Sequence, residues 1–347
     1  MSERPLHQIL DDCASARAAL FDPAHESALR LLNGFTEGIP DLVIDLYAST
    51  AVVTNYADPP ERGRAWIAIA QDFLQSRLPW LRAGILKDRN SPSTAERSGM
   101  LLFGARPDEK IREHGVWYAV NPVMHQDAGL YLDTRNLRRW ALDSLKDKTV
   151  LNTFAYTGSL GIAALAGGAK RAVQLDRNGA FLDVARASCA LNGLAVHDDD
   201  FMKADFFRQA GAFKRRGERF DCVFLDPPLF SASTSGVIDQ QRESARLINK
   251  VRPLINDGGC LVAVNNALYV SGADYMRTLD ALCADGYLEL SELIPVPEDY
   301  TGYPDTRRGD PITDPAPFNH STKIAVLHVK RKEKQRVPSE DSQGEQE

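Results

Sequence analysis

From residue 149 onward, short apolar runs alternate with helical stretches, and this rhythm constrains the fold more than any other feature of the 347-residue chain. The runs fall at 149–155, 171–176, 220–226 and 259–265, with helices expected near 160–166, 179–192, 237–256 and 273–285. Parallel strands need a crossover to return the chain, and helices cover both faces of the resulting sheet. The expectation is an α/β domain built on a doubly wound, mostly parallel, Rossmann-like sheet. A closing pair, Tyr287–Ile294 and Lys323–Val329, reads as an antiparallel edge hairpin. Open sheets of this kind bind ligands beyond the carboxyl ends of their strands.

The preceding part has another texture, that of a small α+β domain over 1–112. A helix within 1–20 carries Leu6, Ile9, Leu10 and Cys13 on one stripe. Strands are expected at Ala28–Asn33, Leu42–Tyr47, Ala51–Tyr56 and Ala83–Asp88, with turns at Asn33-Gly34 and Gly38-Ile39-Pro40 and a helix over Arg64–Arg77. Residues 90–112, rich in Ser, Pro, Gly and charge, read as a surface loop. The second domain then runs over 113–330, with a strand at Val116–Val120 and a lead from Gly129 into a helix through Leu145. Residues 331–347 are polar and patternless and read as a disordered tail.

The chain is 44% hydrophobic and 25% charged, which is globular composition. No apolar run approaches the roughly 18 residues of a membrane span, and the N-terminus lacks a signal-peptide core. Cys13, Cys189, Cys222, Cys260 and Cys283 show no metal spacing and read as reduced thiols of a cytoplasmic protein without a zinc site. A net charge of −6 argues against a domain-wide basic footprint for nucleic acid. Local basic surface remains open at Arg135/Arg138/Arg139, at Lys203/Arg208/Lys214/Arg215/Arg216 and at Arg307/Arg308; each also reads as a solvated face.

Three strand ends carry the candidate chemistry. The first is Tyr156-Thr157-Gly158-Ser159-Leu160-Gly161, where Gly158 permits a tight turn and a close ligand approach ahead of a helix N-terminus. The three-Gly dinucleotide fingerprint is absent, which favours a ligand without phosphates and disfavours an NAD-dependent oxidoreductase. Asp176 lies 18 residues past Gly158 at the next strand end, placed either to accept from both ribose hydroxyls or to cap a helix. Asp205 could bond an adenine amine under the cover of Phe206, or be a surface residue beside a core ring. In Asp226-Pro227-Pro228-Leu229-Phe230, carboxylate and carbonyls form an acceptor cluster for a base edge, with Phe230 free to stack on a flipped or single-stranded base. A structural turn with a capping Asp is the alternative.

These motifs together resemble the class I S-adenosylmethionine (SAM)-dependent methyltransferases. The resemblance covers 110–330 and includes Glu113-His114-Gly115, Gly129–Arg135, Asn152–Gly158, Leu191-Asn192-Gly193, Phe220-Asp221 and Asp226–Phe230. Within that class the chain looks like the bacterial 23S ribosomal RNA methyltransferases of the guanine-N7 and cytosine-C5 group. Residues 28–56 are also similar to the small domain that precedes the cytosine-C5 catalytic domain, while the RNA-binding PUA module at the front of those enzymes is not recognised. The resemblance implies SAM as cofactor and RNA as partner. It implies SAM contacts from Tyr131, Asp133 and Arg135, then from the turn of Phe154, Tyr156, Thr157, Gly158 and Ser159. It further implies a ribose contact at Asp176, adenine contacts at Asp205 and Phe206, and a methionine-amine or substrate contact at Asp226.

Methylation at cytosine C5 needs a Cys that adds to the ring. The cytosine enzymes keep it just past the fifth strand, where this chain has Asn265-Asn266. Cys222 lies about 13 Å up its strand from Asp226, at about 3.3 Å per residue, and Cys260 begins its strand at the far edge. The pattern resembles the Ser-Asn-Asn end of the guanine-N7 type, so Asp226, Pro227, Phe230 and Asn265 are the candidate catalytic residues for a guanine base. N7 is already nucleophilic, so placement suffices. An exocyclic amine remains open, as do a noncatalytic RNA-binding protein on this fold and a cytosine-C5-type homologue with altered substrate.

Overall fold

The computed structural model describes residues 4–331. The front part is a five-stranded sheet in the order β1-β2-β3-β4-β5, formed by Ala28–Asn33, Leu42–Tyr47, Thr50–Asn55, Ala83–Asp88 and Met100–Gly104. Only the β3–β4 pair is parallel. Helices α1 (Leu6–Ala16) and α3 (Arg64–Arg77) cover one face, where Leu10, Leu31, Ile44 and Leu74 are fully buried. A short α2 (Gly34–Glu37) and α4 (Thr94–Ser98) punctuate the loops. Strands β2 and β3 are buried at every position rather than alternately. The reason is a second cover: Ala28, Tyr47 and Val52 join the core of the following domain.

The expected surface loop over 90–112 is corrected here. It contains α4, β5 and the start of a hairpin, β6 (Lys110–Glu113) with β7 (Val116–Ala119). Strand β5 hides in polar sequence because it is an edge strand with Met100 and Leu101 exposed; its anchor is Phe103, whose ring lies where a side chain on Gly84 would be. The hairpin spans residue 112 and packs Ile111, Val116 and Tyr118 into the large-domain core.

Beyond it come α5 (Arg135–Ser144), β8 (Thr149–Thr153), α6 (Ser159–Ala166), β9 (Arg171–Asp176), α7 (Gly179–Leu191), β10 (Phe201–Lys203), α8 (Phe206–Arg216) and β11 (Phe220–Leu225). A small hairpin of β12 (Phe230–Ser233) and β13 (Gly236–Asp239) follows, then α9 (Gln240–Val251), β14 (Ile255–Asn265), α10 (Gly272–Cys283), β15 (Leu288–Leu293), α11 (Glu298–Thr301) and β16 (Lys323–Val329). The helix expected at 237–256 is therefore shorter, because β13 and β14 take its ends. The seven-stranded sheet runs β10-β9-β8-β11-β14-β16-β15. Its first five strands are parallel, and β16 and β15 pair antiparallel, as expected. The closing pair is not a simple edge hairpin: β16 inserts between β14 and β15, leaving β15 outermost. This is a Rossmann-like mixed sheet with helices on both faces. The expected tail lies outside the described residues except for Arg331, whose N–H donates to Asp257.

Buried charge joins the two sheets. Arg138 on α5 is fully buried and donates to both Glu113 oxygens, at 2.6 and 2.9 Å. Arg135, one turn earlier, donates to both Asp299 oxygens at 2.9 Å and to the Ala28 carbonyl of β1. Breaking a buried pair strands a charge and costs about 3–5 kcal/mol. Glu113→Ala is therefore expected to lower unfolding stability in urea by about that amount. Arg139→Ala, which loses an exposed pair with Asp143, should change it by less than about 1 kcal/mol.

Candidate active site

The strand order reverses at β8, with β9 and β10 on one side and β11 and β14 on the other, so a crevice opens beyond the ends of β8, β9 and β11. The β8–α6 turn shapes it. Phe154, Tyr156 and Gly158 all hold left-handed backbones, with φ of 54°, 50° and 77°. Such angles are unfavourable for residues with a side chain and persist only when surroundings over-determine them. Here Ala155 N–H donates to Leu175 O at 2.9 Å, Tyr156 N–H to Asp176 Oδ2 at 2.9 Å, and Thr157 Oγ1 to Gly129 O at 2.6 Å. Glycine is required at 158, where a Cβ would sit 2.6 Å from Ala185 Cβ.

The cleft has a volume of about 330 Å³. Of the residues singled out from sequence, Tyr131, Phe154, Tyr156, Ser159, Asp176 and Asp226 line it. Tyr156 is tilted against Tyr131 at 5.1 Å and meets the Phe181 ring edge-on at 4.5 Å. Asp176 accepts from the Tyr156 and Asn178 amides; burial nonetheless pushes its carboxyl above the usual range. Asp226 is half-buried at the end of β11, and burial, reinforced by nearby Asp133, pushes its carboxyl up to about 7. A carboxylate so placed is completed by an incoming cation.

The remaining candidates sit outside the cleft lining. Asp133 lines the adjoining chamber and accepts from Thr322 Oγ1 at 3.0 Å. Arg135 belongs to the ionic seam between the sheets, and Thr157 and Gly158 build the turn from beneath. Asp205 caps α8 by accepting from Arg208 N–H at 3.1 Å, and Phe206 is buried 4.6 Å from the Phe154 ring. The Pro227 carbonyl already accepts from the Gln240 side chain. Phe230, on β12, is 65% exposed beyond the rim. Asn265 has both amide atoms engaged: Nδ2 donates to Gln240 O and Ser244 Oγ, and Oδ1 accepts from Ala267 N–H. Its neighbour Asn266 is the one whose buried Oδ1 has no partner.

Sequence reasoning missed His125, Asp127 and Phe181, which also line the cleft. The signal for Phe181 was its place in the first turn of α7, five residues after Asp176. Asp127 accepts from the Tyr131 hydroxyl at 2.8 Å. No cysteine lines the cleft, and no described helix is long and apolar enough to cross a membrane.

The residues present fit SAM. Asp127, Asp176 and Asp226 suit its positive charge and ribose hydroxyls, the aromatic wall suits its adenine, and the free N–H groups at the start of α6 suit its carboxylate.

Residues 61–306 match the family model described as S-adenosylmethionine-dependent methyltransferase. A curated relative from Photobacterium profundum, named ribosomal RNA large subunit methyltransferase I, is 28% identical over 285 residues, covering 82% of this chain and 70% of its own. One of the same name from Aeromonas salmonicida is 31% identical over 262 residues, covering 75% of this chain and 65% of its own, just under two thirds. Among solved structures, a methyltransferase complexed with S-adenosylhomocysteine (SAH) superposes with a TM-score of 0.80 at 20% identity, covering 93% of this chain and 81% of that one. A SAM-dependent methyltransferase from Agrobacterium tumefaciens gives 0.58 at 17% identity, covering 88% and 91%. These likenesses establish the fold.

Gly158→Ala is expected to lower urea-unfolding stability by about 1–3 kcal/mol, the scale of a forced left-handed residue. Gly193→Ala, also left-handed but with nothing within 4 Å of its Cβ, should be milder and leave SAH binding intact, whereas the change at Gly158 should weaken it.

Proposed function

Because the chain belongs to the S-adenosylmethionine-dependent methyltransferase family, we propose that it methylates a base in RNA, namely a guanine of large-subunit ribosomal RNA, without a catalytic cysteine. The names of the relatives in Photobacterium and Aeromonas support the ribosomal substrate, which places the work in the cytoplasm. The observation that carries the reading is Asp226. It is a carboxylate without a cationic partner at the end of β11, beside a cleft that no cysteine lines.

SAM, when bound, supplies an electrophilic methyl group on a positive sulfonium. Asp176 accepts from the ribose, the α6 N-terminus receives the carboxylate, and Asp226 receives the ammonium or the edge of the acceptor base. Phe154, Tyr156 and Phe181 exclude water along the adenine path. Asn265 acts as a positioning residue, since its amide holds the start of α9. Asn266 takes over the role of base reader: its Oδ1 is buried without a partner, and a turn of the side chain would present it to guanine N1–H or the amine. Phe230 offers the stacking face outside the rim. A carboxyl with a pKa near 7 can also take a proton from an exocyclic amine, so a methylated amine on guanine is the second product that this geometry favours.

Tritiated methyl transfer from SAM to ribosomal RNA of a deletion strain, followed by nucleoside mass spectrometry, is expected to yield a methylated guanine. A variant with all five cysteines changed to Ser or Ala should retain the transfer. A methylated pyrimidine alone, a 2′-O-methyl sugar alone, or a methylated protein overturns the assignment.

The raised Asp226 pKa sets a pH dependence. Its contribution to stability is fully present below about 4 and is lost as pH rises through about 7, because the folded state holds the proton that the unfolded chain releases. An ammonium needs the ionised form. SAH affinity measured by calorimetry should therefore rise by roughly tenfold between pH 6 and pH 8, one pKa unit being a factor of ten in the linked equilibrium. Asp226→Asn should flatten that rise.

A further inference from the structure

Two further cavities adjoin the cofactor cleft. A chamber of about 240 Å³ shares Asp127 and Tyr131 with it and is walled also by Tyr47, Lys87, Asp133 and Tyr300. Past Arg30, Val43 and Tyr56 that chamber meets an outer cavity of about 390 Å³. The outer cavity lies between the β1–β2 end of the small sheet and the segment 301–321 that leads from α11 to β16.

Its lining differs in kind from that of the cofactor cleft. The cleft carries Asp127, Asp176 and Asp226 against Arg177, whereas the outer cavity has no carboxylate in its lining and includes Arg307 together with Arg30, whose guanidinium is held by both Asp45 oxygens, in a chain of net charge −6. Arg308 follows on the same segment, its guanidinium donating only to the Asp305 and Arg307 carbonyls and so keeping its charge unneutralised there. Phe35 and Tyr56 line the cavity while remaining 43% and 41% exposed, with Leu268 and Ile312 beside them. Arg89 backs the Tyr56 ring at 5.6 Å. A cluster of exposed rings and aliphatic side chains around one cavity marks a binding surface, where single ones would not. His320 contributes a neutral donor: Nδ1 accepts from Thr322 N–H at 3.0 Å, which leaves the proton on Nε2, and burial holds the imidazole down to about 4. Exposed aromatic faces, free guanidinium groups and an uncharged donor are the chemistry of a nucleobase with its phosphate. A cavity of this volume lies within the usual range for a small-molecule-sized guest.

We propose that the outer cavity is a second nucleotide subsite: it takes an unstacked base flanking the methyl acceptor in single-stranded RNA, on Phe35 and Tyr56, with Arg307 and Arg308 at its phosphate. The proposal rests on the RNA reading above and gives the small domain its part in it. Each cavity shares lining residues with the next, from the cofactor cleft to this one, which puts both within reach of one RNA strand. The cleft has three carboxylates to one arginine and disfavours phosphate, and Arg307 and Arg308 give the outer cavity the charge to receive it.

The test uses the full chain and a fluorescein-labelled 12-nucleotide uridine-rich RNA strand, followed by anisotropy, with SAH calorimetry in parallel. Stacking is worth about 1–3 kcal/mol per base, which converts to roughly 5- to 150-fold per base. The double variant Phe35→Ala/Tyr56→Ala is expected to bind the strand more weakly by at least that factor and to raise KM for ribosomal RNA, with SAH affinity unchanged. Tyr56→Phe should restore the Tyr56 share. Arg307→Ala/Arg308→Ala should make binding less steep in salt. Wild-type RNA affinity and KM in the Phe35→Ala/Tyr56→Ala variant overturn the subsite and leave the methylation reading standing. A wild-type chain that binds SAH but neither binds nor methylates RNA overturns the RNA reading itself.

Discussion

The buried charge between the two sheets is the constraint on which the rest depends. Asp299 receives both Nη groups of Arg135 and the backbone N–H of Arg30, while its carbonyl accepts from Arg17. Arg17 in turn pairs with Glu37 at 2.9 Å, both fully buried, and Glu37 also accepts from Asn33 N–H and Thr306 Oγ1. Charges so deep are tolerated because each is paired and further hydrogen-bonded. The consequence is geometric. One short segment around α11 is tied to β1, to α1 and to α5 together, so the small sheet cannot shift without stranding several charges.

That rigidity matters because the row of cavities is made by two bodies. The seven-stranded sheet supplies the acidic end, where a reversal of strand order leaves a crevice and a strained turn faces it. The small sheet supplies the aromatic and basic end. Neither half encloses the middle chamber alone: Tyr47 and Lys87 come from one side and Asp133 and Tyr300 from the other. Tyr47 donates its hydroxyl to the Leu130 carbonyl, joining the two walls where the chamber begins.

Gln240 plays a comparable part on a smaller scale. Its side chain bridges the Pro227 carbonyl and the Asn266 N–H, and its own carbonyl receives Asn265. The loops after β11 and β14 are therefore held to the same residue. The Pro227 carbonyl and the Asn266 N–H are satisfied in this way, while the Asp226 carboxyl has no cationic partner among the described residues and the Asn266 side-chain oxygen is buried without a partner. Which of two adjacent asparagines keeps a side-chain oxygen without a partner follows from this bridge and not from composition.

Local pattern determined a large part of this molecule. The alternation of strands and helices after residue 149, the turn at Gly158, the strand-end positions of Asp176 and Asp226, and the asparagine pair in place of a cysteine at the end of β14 could all be read along the chain, because each depends on neighbours within a few residues. Other features needed the tertiary structure. Strand β5 was disguised because an edge strand keeps exposed residues and takes its anchor from Gly84, distant in sequence. Arg135 resembled a cofactor contact, yet its guanidinium answers to Asp299, 164 residues away. Asp205 and Phe206 resembled adenine contacts, yet they cap and bury α8. The left-handed Phe154 and Tyr156 owe their backbones to bonds from β9, and the outer cavity owes its lining to chain segments more than 200 residues apart. A sequence displays which groups could do chemistry. Packing decides which of them are consumed in holding the fold and which are left facing a cavity, because a buried polar group must take whatever partner the fold brings to it.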